Sequence, residues 1–172
     1  QKKKIKIEEF SLEEIWENNN ITNKEFKNLN NFYWFFSLDL KSSKQTIRSL
    51  ITKWINKNLK YNDKSWEFDT TAKRIIALLS CHNLTYEEGD QEYKRRFNKI
   101  IKKQTNHLIN EINRSELVDD KLIGCASIIL TGLCYQNEKN YLSFGSNLLK
   151  KISKLTLDNY SFPKSRNIKQ LI

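Results

Sequence analysis

The sequence predicts an all-α protein with one hydrophobic core, and three observations support this prediction. The 172 residues include one proline and four glycines, so few residues interrupt helices. From Ser43 onward, apolar residues recur at the three- and four-residue spacing of amphipathic helices. Hydrophobic residues make up 38% of the chain and aromatic residues 12%, which is enough for one domain with a hydrophobic core.

The first 30 residues are predicted to be an irregular lead-in, because they are basic and then rich in asparagine. Residues 1–10 alternate weakly and fit either an edge strand or a loose segment. Residues 11–30 fit one short helix at most. Residues 32–40 follow as a dense aromatic cluster, which we expect to be buried against the rest of the protein.

Amphipathic helices joined by polar connections are predicted for the rest of the chain. Ser43 is a good N-cap for the first of them. The predicted helices cover residues 43–58, 70–81, 91–112, 122–135 and 138–157, and another begins after Pro163. The 122–135 segment is apolar nearly all round, which indicates that other helices enclose it. Gly124 and Gly132 lie on nearly the same side of it and allow a close neighbour.

The net charge of +10 and the pI of about 9.4 have two explanations. One is attraction to a polyanion, either an acidic polysaccharide or a nucleic acid. The other is coding bias, because lysine, asparagine and isoleucine are abundant, as in an AT-rich genome. Lysine greatly outnumbers arginine, which makes a nucleic acid the less favoured polyanion, since dedicated phosphate readers rely on the arginine fork. Lysine-rich faces such as Lys102–Lys103 and Lys150–Lys151 are predicted to be solvated helix surface.

No cofactor or metal site is predicted. The chain has three cysteines and two histidines, without the CxxC or HxxxH spacing of metal sites. Cys125 and Cys134 lie in an apolar run and are predicted to be buried thiols, whereas His82 and His107 are predicted to lie on the surface. No apolar run reaches the roughly 18 residues of a membrane span. The compartment stays open between bacterial periplasm and cytoplasm, and the oligomeric state is also open.

Both ends of the chain are expected to be cuts within a longer protein. The sequence starts with Gln1 and contains no methionine. It stops inside an apolar, helix-like stretch, residues 167–172. The lack of a signal peptide therefore carries no information about secretion.

Three stretches resemble heparinase II/III-like proteins. The segment WEFDTTAKRI is similar to a signature of the N-terminal toroid of that family, through Trp66, Glu67, Thr71 and Arg74. Residues 104–135 are similar to a long helix, a short turn and an apolar helix of the family. The end of the chain resembles the loop that leads into another toroid helix. The similarity covers about residues 30–172.

The resemblance implies an incomplete (α/α) toroid of paired antiparallel helices, with residues 1–172 forming part of one domain. It also implies a protein that binds an acidic, uronic-acid-containing polysaccharide, and as a further step cleaves it by β-elimination. Two alternatives stay open. One is a non-catalytic glycan-handling protein of envelope polysaccharide assembly. The other is a basic helical-repeat module that binds nucleic acid or protein.

The resemblance also implies candidate site residues. Asp119 and Asp120 stand where the family has an Asn-His pair that helps to neutralise the uronate carboxylate. An ionised aspartate would repel that carboxylate, so these positions would serve only with a strongly raised pKa. The implied substrate-binding residues are Trp66, Glu67, Arg74 and Tyr160. The catalytic set is therefore altered or incomplete in this chain.

Each candidate also has a structural explanation. Trp66 fits a sugar-stacking platform or a core anchor for the following helix equally well. Arg74 fits a fork that binds a substrate carboxylate, and slightly better a salt bridge to Glu67. Asp119 and Asp120 fit helix caps better than site residues.

Overall fold

The structure is a computed structural model that describes residues 14–16, 21–38, 43–115, 117–135 and 139–156. Within these ranges the chain forms helices and no strand, which confirms the all-α prediction. The α-helices are α1 (Asn23–Asn30), α2 (Lys44–Lys57), α3 (Phe68–Ser80), α4 (His82–Thr85), α5 (Gln91–Glu111), α6 (Val118–Cys134) and α7 (Lys139–Thr156). Two 3₁₀ turns, Glu14–Trp16 and Tyr33–Ser37, precede α1 and α2 respectively. The predicted first strand and last helix lie outside the described residues.

α1 is the one short helix that the sequence allows within residues 11–30. A capping box starts this helix, because the Thr22 side chain accepts a hydrogen bond from Glu25 N at 3.3 Å. The Glu25 carboxylate in turn accepts from Thr22 N at 2.8 Å. Two backbone donors that the first turn of a helix leaves unpaired are thereby satisfied.

The aromatic cluster and α2 pack as the sequence predicts, with one exception. The side chains of Phe32 and Phe35 are fully buried, but Phe36 is 53% exposed. The Ser43 hydroxyl caps α2 by accepting from Thr46 N at 3.2 Å. The buried side of α2 carries Ile47, Leu50, Ile51, Trp54 and Ile55.

Helices α3, α5 and α6 pack against one another around the centre of the core. The hydroxyls of Thr105 and Thr131 lie 3.1 Å apart between α5 and α6. A second α5–α6 contact brings Ile112 close to Gly124, so the two helices run antiparallel. The remaining helices lie at the edges of this core, with α1, α2 and α4 against α3 and α5, and α7 against α6.

The predicted close approach at the α6 glycines is confirmed, but two different neighbours use it. A Cβ on Gly124 would lie 2.5 Å from the Phe68 ring of α3. A Cβ on Gly132 would lie 2.6 Å from the Leu142 backbone nitrogen of α7. Gly145 of α7 makes the return contact with Ile129, so α6 and α7 also run antiparallel.

α6 packs against α3, α5 and α7, in line with the predicted burial on most sides, and its remaining side meets solvent in the described part of the chain. Leu133 is 56% exposed, and Cys134, predicted to be a buried thiol, is exposed as well. Cys125 is buried as predicted.

Candidate functional site

Trp66 lies in the core rather than on a sugar-binding face. Its side chain is 2% exposed, and its indole N–H donates to the carbonyl of Asn58 at 3.2 Å. Its ring makes edge contacts with the rings of Tyr61 and His107, at centroid distances of 6.0 and 5.5 Å. This geometry matches the core-anchor explanation, and Tyr61, 58% exposed, is the most exposed ring of this group.

Glu67 is the N-cap of α3. Its carboxylate accepts hydrogen bonds from Thr70 N at 3.1 Å and from the ammonium of Lys27 at 2.9 Å. Burial raises the pKa of Glu67, but hydrogen bonds from Thr70 and Lys27 outweigh burial and leave the pKa below its usual value. The predicted salt bridge between Glu67 and Arg74 is therefore wrong, because Lys27 is the cation that pairs with Glu67.

Arg74 is fully buried between α3, α1 and α5. Its three nitrogens donate to Gln104 Oε1 at 3.2 Å, to the Asn30 carbonyl at 2.8 Å and to the Thr71 hydroxyl at 2.9 Å. The guanidinium also lies 4.3 Å from the ring centroid of Trp54. These acceptors are all neutral, and no described carboxylate forms an ion pair with Arg74.

Burial lowers the pKa of Arg74 to about 9, so the group stays cationic at neutral pH. A substrate carboxylate cannot reach a side chain with no exposed surface unless the core opens. The role implied for Arg74 by the resemblance, a fork for substrate, does not fit this fold. Four observed partners hold the side chain in a structural position instead.

Asp119 and Asp120 occupy the first turn of α6, after the N-cap position. Leu117 is the N-cap residue and makes no side-chain capping bond, so the helix-cap explanation for the two aspartates is wrong. Negative charge at these positions interacts favourably with the positive end of the helix dipole. Burial raises the pKa of Asp120, and the nearby carboxylates of Asp69 and Glu67 raise it further. Asp119 is exposed.

The five implied site residues that the structure describes do not converge on one cleft. Trp66 and Glu67 meet at the start of α3, and Asp120 is close enough to Glu67 for their charges to interact. Arg74 lies deeper in the core, and Tyr160 lies outside the described residues. Among the described residues, no group of three His, Cys, Asp or Glu side chains could hold a metal ion.

A concentrated basic surface lies on the solvent side of α5. Between residues 94 and 103 the chain carries six cations and no acid: Lys94, Arg95, Arg96, Lys99, Lys102 and Lys103. The opposite side of the same helix supplies Phe97, Ile100 and Ile101 to the core. We call these six cations the α5 basic face.

Neutral groups contact several cations of the α5 basic face. The ammonium of Lys94 lies 5.3 Å from the ring centroid of Tyr86, and that of Lys102 lies 5.4 Å from the ring centroid of Tyr135. Lys103 donates to the carbonyl of Leu59 at 2.6 Å. Arg96 donates to the side-chain oxygen of Asn56, and Arg95 forms an ion pair with Glu92 at 2.7 Å.

A single amide fixes the two tyrosines beneath the α5 basic face. The hydroxyl of Tyr135 donates to Asn98 Oδ1 at 2.7 Å. The Asn98 amide nitrogen donates to the Tyr86 hydroxyl at 3.0 Å. Burial raises the pKa of Tyr135, so this hydroxyl keeps its proton at neutral pH.

The sequence contained the signal for this surface, an acid-free run of six cations on one amphipathic helix. The composition alone gave no reason to separate it from the other lysine-rich faces. The aromatic partners from α4's end and α6 distinguish it, and only the fold brings them to α5.

Comparison of the chain with known protein families, with curated proteins and with solved structures finds no match. The resemblance to heparinase II/III-like proteins therefore depends on the motif residues alone. Among the described residues, no helix is both long and apolar enough to cross a membrane.

Proposed function

We propose that this protein binds an acidic polysaccharide along the α5 basic face. One observation carries the proposal: residues 94–103 hold six cations and no acid, and Lys94, Arg96 and Lys103 of this run are held by a ring, an amide and a carbonyl. Cations arranged in this way keep their positive potential and are already oriented for an anionic polymer.

The chemistry around the α5 basic face suits a sugar polymer. Lysine supplies four of the six cations, and a compact ammonium pairs with a carboxylate or sulfate as a point charge, without the bidentate geometry that the arginine fork requires. Exposed amides of Asn106 and Asn110 continue the solvent side of α5 and can bond sugar hydroxyls. The exposed ring of Tyr61 offers an apolar face for a sugar ring at the α2–α3 loop.

The parent architecture in this proposal is an incomplete (α/α) toroid of a heparinase II/III-like protein. The order of the three similar stretches and the all-α fold support it. Binding is proposed rather than β-elimination, because the fold buries Arg74 and ties Glu67 to Lys27. Of the implied catalytic positions, Asp120 has a pKa raised by burial, which is the direction that favours a neutral carboxyl.

The test is titration of the full chain with polygalacturonate, using neutral dextran as the reference polymer. The variant Lys94→Gln/Lys99→Gln/Lys102→Gln removes three charges from the α5 basic face. The matched control Lys150→Gln/Lys151→Gln/Lys154→Gln removes three exposed charges from α7. We expect the α5 variant to lose at least about tenfold in affinity and the α7 variant to lose less than about twofold.

Two outcomes would contradict the proposal. Equal losses for the two triple variants would mean that net charge alone drives binding. Tighter binding of single-stranded RNA than of polygalacturonate at the same salt concentration would instead assign the α5 basic face to nucleic acid.

A further inference from the structure

A groove of about 580 Å³ lies between the Glu14–Trp16 turn, α1 and the α2–α3 loop. Its volume falls within the range of roughly 300–1,000 Å³ that is usual for small-molecule sites. The groove lies apart from the α5 basic face, since no residue of α5 is among its lining. Its described lining contains aromatic and aliphatic side chains, amides and two lysines, with no Asp or Glu.

The apolar part of the groove contains Trp16, whose side chain is held in place by a hydrogen bond and a ring contact. The indole N–H of Trp16 donates to the Leu50 carbonyl at 3.2 Å, and its ring makes an edge contact with Phe32 at 5.4 Å. Lys57 donates from its ammonium to the Trp16 carbonyl. Phe26, on α1, adds a second, half-buried ring. Such rings can cover the C–H-rich face of a pyranose and remove it from water.

The polar part of the groove is supplied by the α2–α3 loop and the start of α1. Asn62 Oδ1 accepts hydrogen bonds from the backbone nitrogens of Lys64 and Ser65, both at 3.1 Å. The oxygen of Asn62 is thereby engaged, and its amide nitrogen is the group that can donate to a ligand. Asn23 is an exposed amide at the other side. Lys57 and Lys64 make the rim positive, and no described carboxylate of the lining opposes them.

We infer that this groove binds a single acidic sugar residue, with the pyranose ring on the aromatic side chains and the carboxylate toward Lys57 and Lys64. The amides of Asn23 and Asn62 would bond the ring hydroxyls. The choice of a uronate follows from the polysaccharide ligand of the proposed function. The groove itself, with its rings, amides and ammonium groups, is an independent observation.

The experiment uses the full chain and glucuronate monosaccharide, with glucose as the uncharged analogue. Binding is followed by isothermal titration and by amide chemical shifts. The test variants are Lys64→Gln and Asn23→Ala, which are exposed positions of the groove lining. Lys60→Gln is the matched control, because Lys60 is an exposed lysine of the same loop outside the groove.

We expect saturable glucuronate binding, at least about fivefold weaker binding of glucose, and a loss of at least about threefold in the Lys64→Gln variant. The Asn23→Ala variant should also weaken binding, and Lys60→Gln should not. Absence of saturable glucuronate binding, equal binding of glucose, or an equal effect of Lys60→Gln would overturn the inference. Tighter binding of benzoate than of glucuronate would overturn the assignment to a sugar.

The two proposals fail separately. The α5 triple variant removes no residue of the groove, so it should keep glucuronate binding while it loses polygalacturonate. If neither the wild type nor any variant binds polygalacturonate, but glucuronate binding is retained, the proposed function alone is contradicted. Retained polymer binding without glucuronate binding would contradict the groove assignment alone.

Discussion

Arg74 and the α5 basic face are both positively charged, but Arg74 lies in the core and the α5 basic face lies at the surface. Arg74 is fully buried, and its nitrogens are used by three neutral acceptors of the protein itself. The cations of α5 lie at the solvent side, where neutral rings and carbonyls hold several of them. The comparison shows that a cation in the core stabilises the fold, whereas a group of oriented surface cations is available to a partner.

Arg74→Ala is expected to produce the largest loss of stability. The substitution leaves the Asn30 carbonyl and Gln104 Oε1 without their donor and opens a cavity beside Trp54. We expect the free energy of unfolding to fall by about 3 kcal/mol or more, measured by urea denaturation.

Arg95→Ala is the surface counterpart. Arg95 lies on α5 with a side chain that is 69% exposed, and it pairs only with Glu92 one turn away among its described ion pairs. The expected change in the free energy of unfolding is within about 0.5 kcal/mol. A similar loss of stability in the two alanine variants would break the comparison between core and surface cations.

Glu67→Gln tests an intermediate case, because the Lys27–Glu67 pair is half-exposed. The substitution removes the charge from a capping carboxylate and should cost about 1 kcal/mol at pH 7. The pKa of Glu67 is below its usual value in the folded protein, so its stabilisation is complete above about pH 4.5. It is lost as the pH falls through the lowered pKa, because the unfolded chain takes up the proton first.

The stability difference between wild type and Glu67→Gln should therefore shrink as the pH falls below about 4.5, in urea denaturation at a series of pH values. A difference that stays constant or grows toward low pH would show that the charge of Glu67 does not stabilise the fold.

A small effect on stability is also expected for the Lys94→Gln/Lys99→Gln/Lys102→Gln variant. Lys94 and Lys102 are half-buried and contact rings, Lys99 is exposed, and the interactions of surface lysines add little to stability. We expect the free energy of unfolding to change by less than about 1 kcal/mol. A larger loss would mean that the cation–ring contacts serve the fold, and the loss of polymer binding would then have a trivial cause.

Much of the helical framework follows from local signals in the sequence. The apolar spacing after Ser43 predicts α2, α3, α5, α6 and α7, with ends that differ from the structure by up to four residues. α1 was expected only as one short helix somewhere in residues 11–30, because asparagine is a weak helix former and blurs the pattern. The Thr22-x-x-Glu25 pattern, which forms the capping box, was the signal that could have found it.

The candidate site was less predictable, because side-chain environment depends on contacts between distant segments. Arg74 follows Thr71 by one turn on the buried side of α3, but its acceptors come from α1 and α5. The Lys27 partner of Glu67 is 40 residues away along the chain. Local patterns do not indicate such pairings, so a motif residue and a core residue look the same in the sequence.

The most direct test of the account maps amide chemical shifts of the labelled full chain during titration with a short oligogalacturonate. We predict that the shifts that change on the helical core cluster at residues 94–103 and at the adjacent tyrosines, Tyr86 and Tyr135. Shifts concentrated instead around Trp66, Arg74 and Asp119–Asp120, with residues 94–103 unchanged, would contradict the assignment of polymer binding to the α5 basic face.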